Sequence, residues 1–351
     1  MGLPEINISF SSLAVSAIQR SQRGIVALVL KDDTGSFDTK EYRSISEIEP
    51  SDWTAQNLKY IQQAFAGVPA KVIAERIPTD AEDYSDALTR LGSKRWNYLA
   101  IPGISTVDAN IVASQIKSWR DINKKTYKAV LPNIAADHEG IINFATSGIV
   151  VGADTYSASE YTARIAGILA GLPLTRSATY YVLPEVEKIT ESEDPDADID
   201  AGQLILINDD GVIKIGRGVN SLTTMTGGKG PDWKKIKIIE GHDLIRDDIT
   251  RTFAEEYIGK VNNSYDNQCL LIAAINAYLR GLEGEVLDPA GENTVGVDIE
   301  AQRQAWESIG TDTSGWDDQK VKSMSFQSKV FLAGRLKFLD AVEDLEFRIS
   351  V

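Results

Sequence analysis

The chain has 351 residues, with an apolar fraction of 43% and a charged fraction of 25%, which is typical of a soluble globular protein with about two domains. Its net charge of −15 at pH 7 argues against a nucleic-acid binder, since no basic cluster offsets the repulsion from phosphates. The apolar runs are too short to span a bilayer, no signal peptide is indicated, and the single cysteine fits a reducing compartment.

Alternation of apolar and polar residues predicts a strand near each end of the chain. The first strand lies in "PEINISF" (4–10) and the last in "DLEFRISV" (344–351). Their apolar positions are Ile6, Ile8 and Phe10, and Leu345, Phe347, Ile349 and Val351. Chain ends usually fray unless something holds them. Each strand therefore needs a partner, either in its own fold or at the edge of a neighbour's sheet.

Short apolar strands alternate with amphipathic helices between residues 70 and 183. The strands are predicted at 70–77, 97–103, 127–134 and 148–153, and the helices at 81–91, 106–123 and 157–172. Ser157 and Glu160 form a capping-box pattern at the start of the last helix. This order is typical of βαβ units, so we predict an α/β fold with a central, mostly parallel sheet and flanking helices.

The chain after residue 183 changes in character, and the N- and C-terminal segments together predict a second, α+β domain with extended terminal strands. A solvated acidic loop (185–200) precedes a β-hairpin (203–219), and a short strand beginning at residue 235 turns into a helix after Gly241. A helix at 267–284 is apolar nearly all round, which predicts that it is buried together with Cys269. A third helix (298–310) and a strand (328–338) come before the terminal strand.

The motifs that resemble catalytic or cofactor sites are incomplete. "GRGVNS" (216–221) has Ser221 where a dinucleotide-binding loop has its third glycine, and it follows a hairpin. His138 and His242 have acidic neighbours, so a metal or a general base is conceivable, but surface or capping roles are favoured. We predict no catalytic residue, no cofactor and no metal, and an assembly function is favoured.

Several stretches resemble the contractile tail sheath proteins of myophages and related particles, including R-type bacteriocins. They are "LPEINISFSSLA", "RGIVALVLKD", "GRGVNSLTT" and "SKVFLAGRLKFLDAVEDLEFRISV". The similarity extends over essentially the whole chain and is greatest to the compact sheaths of Gram-positive phages and bacteriocins.

The resemblance implies a structural subunit, not an enzyme, that polymerises helically as stacked hexameric rings around a tail tube. Contraction of such a sheath drives the tube through a target envelope. The implied partners are further copies of the chain, the tube, the baseplate and the tail terminator, without nucleic acid or membrane insertion. Assembly would occur in the host bacterial cytoplasm, and the product would be the tail of a virion or a phage-tail-like particle.

The resemblance also implies a division of the chain into inner and outer domains. Residues 1–30 form an N-terminal arm and the first part of the inner domain, and residues 31–234 form the outer α/β domain. Residues 235–351 complete the inner domain and end in a terminal arm at 341–351. In this arrangement the two terminal strands are donated to neighbouring subunits by β-strand augmentation.

Five basic residues near the C-terminus are candidate contacts to the tube: Lys320, Lys322, Lys329, Arg335 and Lys337. Three of them share one face of the strand predicted at 328–338, and a solvated strand face explains them equally well. A different class of function also remains open. A soluble, doubly wound α/β enzyme or ligand-binding protein would explain residues 70–183, though not the terminal strands.

Overall fold

The computed structural model describes Ile18 and residues 24–349 of the chain, and it divides into two compact units. The sheet unit contains residues 24–244 and 340–349, and the helical unit contains residues 245–339. Among these described residues, no helix is both long and apolar enough to cross a bilayer. Residue 30 lies inside a strand of the sheet, and residues 340–349 group with the sheet unit.

The sheet unit starts with alternating strands and helices. They are β1 (Ile25–Lys31), β2 (Thr39–Tyr42), α1 (Ala55–Phe65), β3 (Lys71–Ile77), α2 (Ser85–Gly92), β4 (Tyr98–Ala100), α3 (Thr106–Asp121), β5 (Lys128–Pro132) and β6 (Ile141–Phe144). Shorter elements follow: β7 (Ile149–Val151), β8 (Asp154–Tyr156), α4 (Ala158–Gly171), α5 (Pro195–Asp200), β9 (Gln203–Leu204), β10 (Leu206–Asp209) and β11 (Val212–Ile215).

Seven of these strands form one sheet, in the order β2-β3-β1-β4-β5-β6-β9 among the described residues. All neighbours are parallel except the edge strand β2, which runs antiparallel to β3. The predicted mostly parallel sheet is therefore confirmed. The strand predicted at 148–153 is not its fourth main strand, because β7 turns back at once to pair with β8, and the wholly buried β6 takes that place beside β5.

Both faces of the sheet are covered, as a parallel sheet requires. Alternate residues of β1 point to opposite faces, so Val26, Leu28 and Leu30 join one core cluster, and Ile25, Ala27 and Val29 join the other. The first cluster includes buried residues of α1 and α4, and the second those of α2 and α3. The hairpin predicted within 203–219 is formed by β10 and β11.

Helix α4 begins with the predicted capping box. The Ser157 hydroxyl accepts from the Glu160 backbone N–H, and the Glu160 carboxylate accepts from the Ser157 backbone N–H. Further along this helix, Gly167 lies against the backbone of α1. A side-chain carbon at residue 167 would come within 2.1 Å of the Ala64 carbonyl oxygen, so only glycine allows the two helices to approach this closely.

The division between the units falls within α6 (Ile236–Thr252). The strand predicted at residue 235 is wrong, because Ile236 and Ile239, one helical turn apart, are both buried and the helix continues through Gly241. The elements that follow are a π-helical turn (Phe253–Tyr257), α7 (Tyr265–Gly281), β12 (Thr294–Val297), α8 (Ile299–Glu307), α9 (Asp318–Ser323) and β13 (Leu332–Arg335).

Two predictions for the helical unit need correction. Helix α7 is not buried all round: Leu271 and Ile275 face inward, whereas Cys269 and Leu270 are exposed on its other side. The strand predicted at 328–338 is reduced to β13, because Phe326 and Lys329 bridge a tight turn whose residue Gln327 has a φ of 44°.

Candidate assembly surface

The C-terminal segment exposes its apolar side chains. Within residues 24–349 no strand pairs with 341–349, so the predicted strand is not formed among the described residues. Leu345, Phe347 and Ile349 are 87%, 75% and 72% exposed, and they retain the period of two. Exposed apolar side chains in a row are typical of a surface that a partner covers. The other predicted arm residues, Ile6, Ile8, Phe10 and Val351, lie outside the described residues.

The start of this segment is attached to the sheet unit by ion pairs. Lys235, just before α6, pairs with Asp340, and the Arg217 Nη2 atom lies 2.6 Å from Asp344 Oδ1. The hydrogen bond from Arg217 lowers the pKa of Asp344. Burial lowers the pKa of Lys235, but the hydrogen bond to Asp340 and the surrounding negative charge outweigh it, so that this pKa is raised. The sequence reasoning missed these contacts.

The "GRGVNS" motif takes part in this attachment. It follows β11 and does not open a helix, so its glycines do not form a dinucleotide-binding turn. Arg217 of the motif pairs with Asp344, and the Gly218 N–H donates to the Thr179 hydroxyl at 2.9 Å. Ser221 is buried and its hydroxyl donates to the His138 carbonyl oxygen. The motif thus connects residues that lie far apart in the sequence.

In the helical unit, β12 and β13 form a two-stranded antiparallel sheet. Its β12 edge is closed by the Asn276 side chain, which donates to the Val295 carbonyl at 3.0 Å and accepts from the Val295 N–H at 2.8 Å. Among the described residues, β13 pairs only with β12. Its residues 333–335 are exposed, so the β13 edge is available for an added strand.

The five basic residues predicted to contact a tube all lie in the helical unit. Lys320 and Lys322 belong to the last turn of α9, and Lys329 is exposed just after the tight turn. Arg335 is 84% exposed on its side chain and lies 3.6 Å from Glu292. Lys337 pairs with Asp288 at 2.7 Å. Two of the five charges are therefore partly balanced by acidic neighbours.

Of the two roles favoured for His138, surface or capping, a surface position is wrong, because the side chain is buried beside Asp121 and Glu139. Its Nδ1 atom accepts from the Gly140 N–H at 2.9 Å, so a neutral ring carries its proton on Nε2, which faces Asp121 at 3.4 Å. Lys229 lies 2.9 Å from the Glu139 carboxylate. With Nδ1 already accepting and Nε2 protonated, this imidazole has no free lone pair for a metal. The cluster instead stabilises the turn at 138–140.

Comparison with known families gives two matches that together cover most of the chain. The family model for the phage tail sheath protein central domain matches residues 79–221. The model for the phage tail sheath C-terminal domain matches residues 228–351. The chain is also 39% identical over its whole length to the tail sheath protein of Clostridium phage phiCD119, of which it covers 99%.

Solved structures share the fold. A sheath tail protein from Desulfitobacterium hafniense has a TM-score of 0.71 at 19% identity, covering 84% of this chain and 94% of that one. The helical sheath of the anti-feeding prophage in its contracted state has a TM-score of 0.68 at 12% identity, covering 100% of this chain and 99% of that one.

Proposed function

Because the chain belongs to the phage tail sheath protein family, we propose that it is the repeating subunit of a contractile sheath. Copies of the chain polymerise helically, as stacked hexameric rings, around a tail tube, and contraction drives the tube through a target envelope. The role is structural and not enzymatic. Its location is the tail of a virion or of a phage-tail-like particle, with assembly in the host bacterial cytoplasm.

The observation that carries this proposal is the exposed row of Leu345, Phe347 and Ile349 at the C-terminus. Such a segment satisfies its backbone and covers its apolar side chains when it joins another subunit's sheet. Among the described residues the β13 edge in the helical unit pairs with no second neighbouring strand, whereas Asn276 binds the backbone of β12 at the opposite edge. The C-terminal arm of one copy therefore adds to β13 of a second copy. The N-terminal strand with Ile6, Ile8 and Phe10 is donated in the same manner.

Strand donation between different subunits links them head to tail, so the contacts do not close within a dimer. The inner part of the sheath, formed by the terminal segments, contacts the tube, and rings at the two ends contact the baseplate and the tail terminator. The free energy for contraction is stored in the metastable extended lattice and is released while the arm links persist. Contraction of purified particles therefore proceeds in nucleotide-free buffer once triggered.

Electron microscopy of the concentrated full-length protein tests the proposal. The proposal predicts tubes or rings from the wild-type chain, and folded single subunits from a variant that lacks residues 1–12. Discrete small oligomers of the wild-type chain that bind a small ligand would instead favour a soluble enzyme or binding protein. Normal tubes from the truncated variant would show that the N-terminal strand is not donated.

A further inference from the structure

In the C-terminal segment, the charged side chain of Glu343 is buried against the sheet unit, whereas the apolar side chains next to it are exposed to solvent. The Glu343 side chain is only 6% exposed, whereas Val342 and Leu345 are 96% and 87% exposed. Burial of a carboxylate is costly unless it is paired, and exposure of apolar side chains is also unfavourable. The hydrophobic effect alone would favour the opposite orientation. Specific contacts to Glu343 must therefore hold the segment in the orientation that buries this carboxylate.

Those contacts come from four residues of the sheet unit, which we call the Glu343 socket: Ser177, Thr179, Arg217 and Lys235. The Glu343 Oε1 atom accepts from the Thr179 hydroxyl at 2.6 Å and from the Ser177 hydroxyl at 2.9 Å. The other oxygen, Oε2, makes no hydrogen bond but lies 3.8 Å from Arg217 and 3.9 Å from Lys235. The buried carboxylate thus lies against two hydroxyl groups and two nearby cations.

Backbone groups of the sheet unit position the hydroxyls of the socket without any contact to Glu343. The Thr179 hydroxyl accepts from the Gly218 N–H, and the Ser177 hydroxyl accepts from the Thr179 N–H. The Ser177 Oγ atom also lies 3.0 Å from the Thr179 Oγ1 atom, so its single proton is shared between that atom and Glu343 Oε1. A side-chain carbon at residue 218 would lie 3.2 Å from the Ser177 hydroxyl, so glycine keeps the site open. Rigid donors lose little conformational entropy when they bind a carboxylate.

Neighbouring ion pairs extend the attachment on both sides of Glu343. Asp340 pairs with Lys235 and Asp344 pairs with Arg217, so each cation of the socket also binds a second carboxylate of the same segment. After Asp344 the attachment ends. Within the part of the chain that the structure describes, Glu346 pairs with Arg348, two residues on, and the side chains of Leu345, Phe347 and Ile349 are exposed.

We infer that Glu343 is a positioning residue for assembly, and that its socket fixes the point at which the C-terminal arm leaves the sheet unit. Leu345, Phe347 and Ile349 are thereby presented to a second copy of the chain and do not fold back onto their own subunit. This inference rests on the proposed donation of the arm. A fixed departure point raises the effective concentration of the arm near its acceptor, because fewer orientations must be searched.

The first test measures the mobility of the segment in the full-length subunit. A nitroxide label is attached to Val342→Cys after the exposed Cys269 is replaced by Ser, so that the label reacts at one site only. In this background Glu343→Gln removes the charge and turns an amide N–H₂ toward two cations. The rotational correlation time of the label should fall at least twofold. The matched control is Glu346→Gln, the same change at an exposed position of the arm, and it should leave the spectrum unchanged.

The second test measures the critical concentration for polymerisation with the unlabelled variants. Glu343→Gln should raise the critical concentration about tenfold, because a hydrogen bond to a charged group typically changes an equilibrium constant by about tenfold or more. Thr179→Val should also raise the critical concentration, whereas Thr179→Ser, which keeps a hydroxyl, should leave it unchanged. The comparison separates loss of the hydroxyl from misfolding. Polymerisation of Glu343→Gln at the wild-type concentration would overturn the inference, whether or not the label becomes more mobile.

Deletion of residues 345–351 separates this inference from the proposed function. The deletion keeps Glu343, so the label at residue 342 should stay immobilised while polymerisation is lost. Tubes from the deleted chain would contradict arm donation. A mobile label in the deleted chain would contradict the socket, because it would show that the arm tip, and not Glu343, holds the segment.

Discussion

Asp243 on α6 accepts two hydrogen bonds from the Arg120 guanidinium at 2.9 and 3.0 Å, and both side chains are almost fully buried. The buried Lys128 ammonium lies 2.7 Å from the same carboxylate and 2.9 Å from Glu240. Burial lowers the pKa of Arg120, but the charge of Asp243 outweighs it and raises this pKa overall. These contacts attach the first part of α6 to α3 and β5 within the sheet unit.

Replacing Asp243 with Ala should destabilise the sheet unit strongly, because the buried Arg120 and Lys128 side chains would lose the carboxylate that they share. Breaking a buried pair in this way typically costs about 3–5 kcal/mol. Urea unfolding measures the change in the free energy of unfolding. Asp86→Ala, at an exposed position of α2, is the matched control and should change it by less than about 0.5 kcal/mol. Equal stability of both variants would show that the buried cluster does not stabilise α6.

Acidification should weaken the fold below about pH 6.5 through the histidines. Burial lowers the pKa values of both His138 and His242 in the folded chain. The unfolded chain therefore takes up protons at a pH where the folded chain does not, so stability is full above pH 6.5 and declines as the pH falls toward the folded pKa values. Protonation of His138 on Nδ1 would also remove the acceptor of the Gly140 N–H.

Urea unfolding at pH 7, 6 and 5 tests this dependence. His138→Gln should reduce the slope of the free energy of unfolding against pH between 7 and 5, while the contribution of His242 remains. An unchanged slope, or a wild-type chain that becomes more stable on acidification, would contradict the assignment.

The sequence predicted those elements whose stabilising contacts lie between residues close together in the chain. Ser157 and Glu160 identified the start of α4, because a capping box involves only residues within one helical turn. The short apolar runs at 70–77, 97–103 and 127–134 likewise predicted β3, β4 and β5, which are buried strands of the parallel sheet. The start of α6 was missed, because the β-branched pattern of "KIKII" favours a strand by itself. In the fold, Asp243 and Glu240 bind charges from β5 and α3 that no local pattern reveals.

The assembly surface was predictable only in part, because one of its features is a local pattern and the other depends on distant residues. The period of Leu345, Phe347 and Ile349 indicated a strand, but the sequence left open whether its partner lies in the same subunit or in a neighbour. The burial of Glu343 was not predictable, since its contacts come from Ser177 and Thr179, more than 160 positions earlier. The "GRGVNS" motif could have pointed to the Glu343 socket, because it was left without a function in the sequence analysis. It supplies Arg217 and Gly218 to the socket.

The basic residues of the helical unit give a prediction about the tube. Changing Lys329, Arg335 and Lys337 to Glu should weaken co-assembly with the tube, because it replaces three exposed positive charges that would attract an acidic patch on the tube with negative ones. Arg335 belongs to β13, so the polymerisation of this variant without tubes is measured beside it. The effect should be largest at low salt, where screening is least. Sedimentation of purified tubes with added subunits measures the binding.

The control for this triple variant carries the same change in charge on the sheet unit: Arg95, Lys124 and Lys125, all exposed, are changed to Glu. It should coat tubes as well as the wild-type chain does. If the helical-unit variant also coats tubes normally at low salt, Lys329, Arg335 and Lys337 form a solvated face and not the tube contact.

The measurement that tests strand donation most directly compares Phe347→Asp with Ile122→Asp. Phe347 and Ile122 are 75% and 74% exposed in the single chain, so neither change should alter the free energy of unfolding by more than about 0.5 kcal/mol. Sedimentation of concentrated protein, with electron microscopy of the pellet, then measures polymerisation. If the arm is donated, Phe347→Asp remains a folded single subunit while Ile122→Asp forms tubes like the wild-type chain. Tubes formed equally well by Phe347→Asp would contradict the donation of the C-terminal strand.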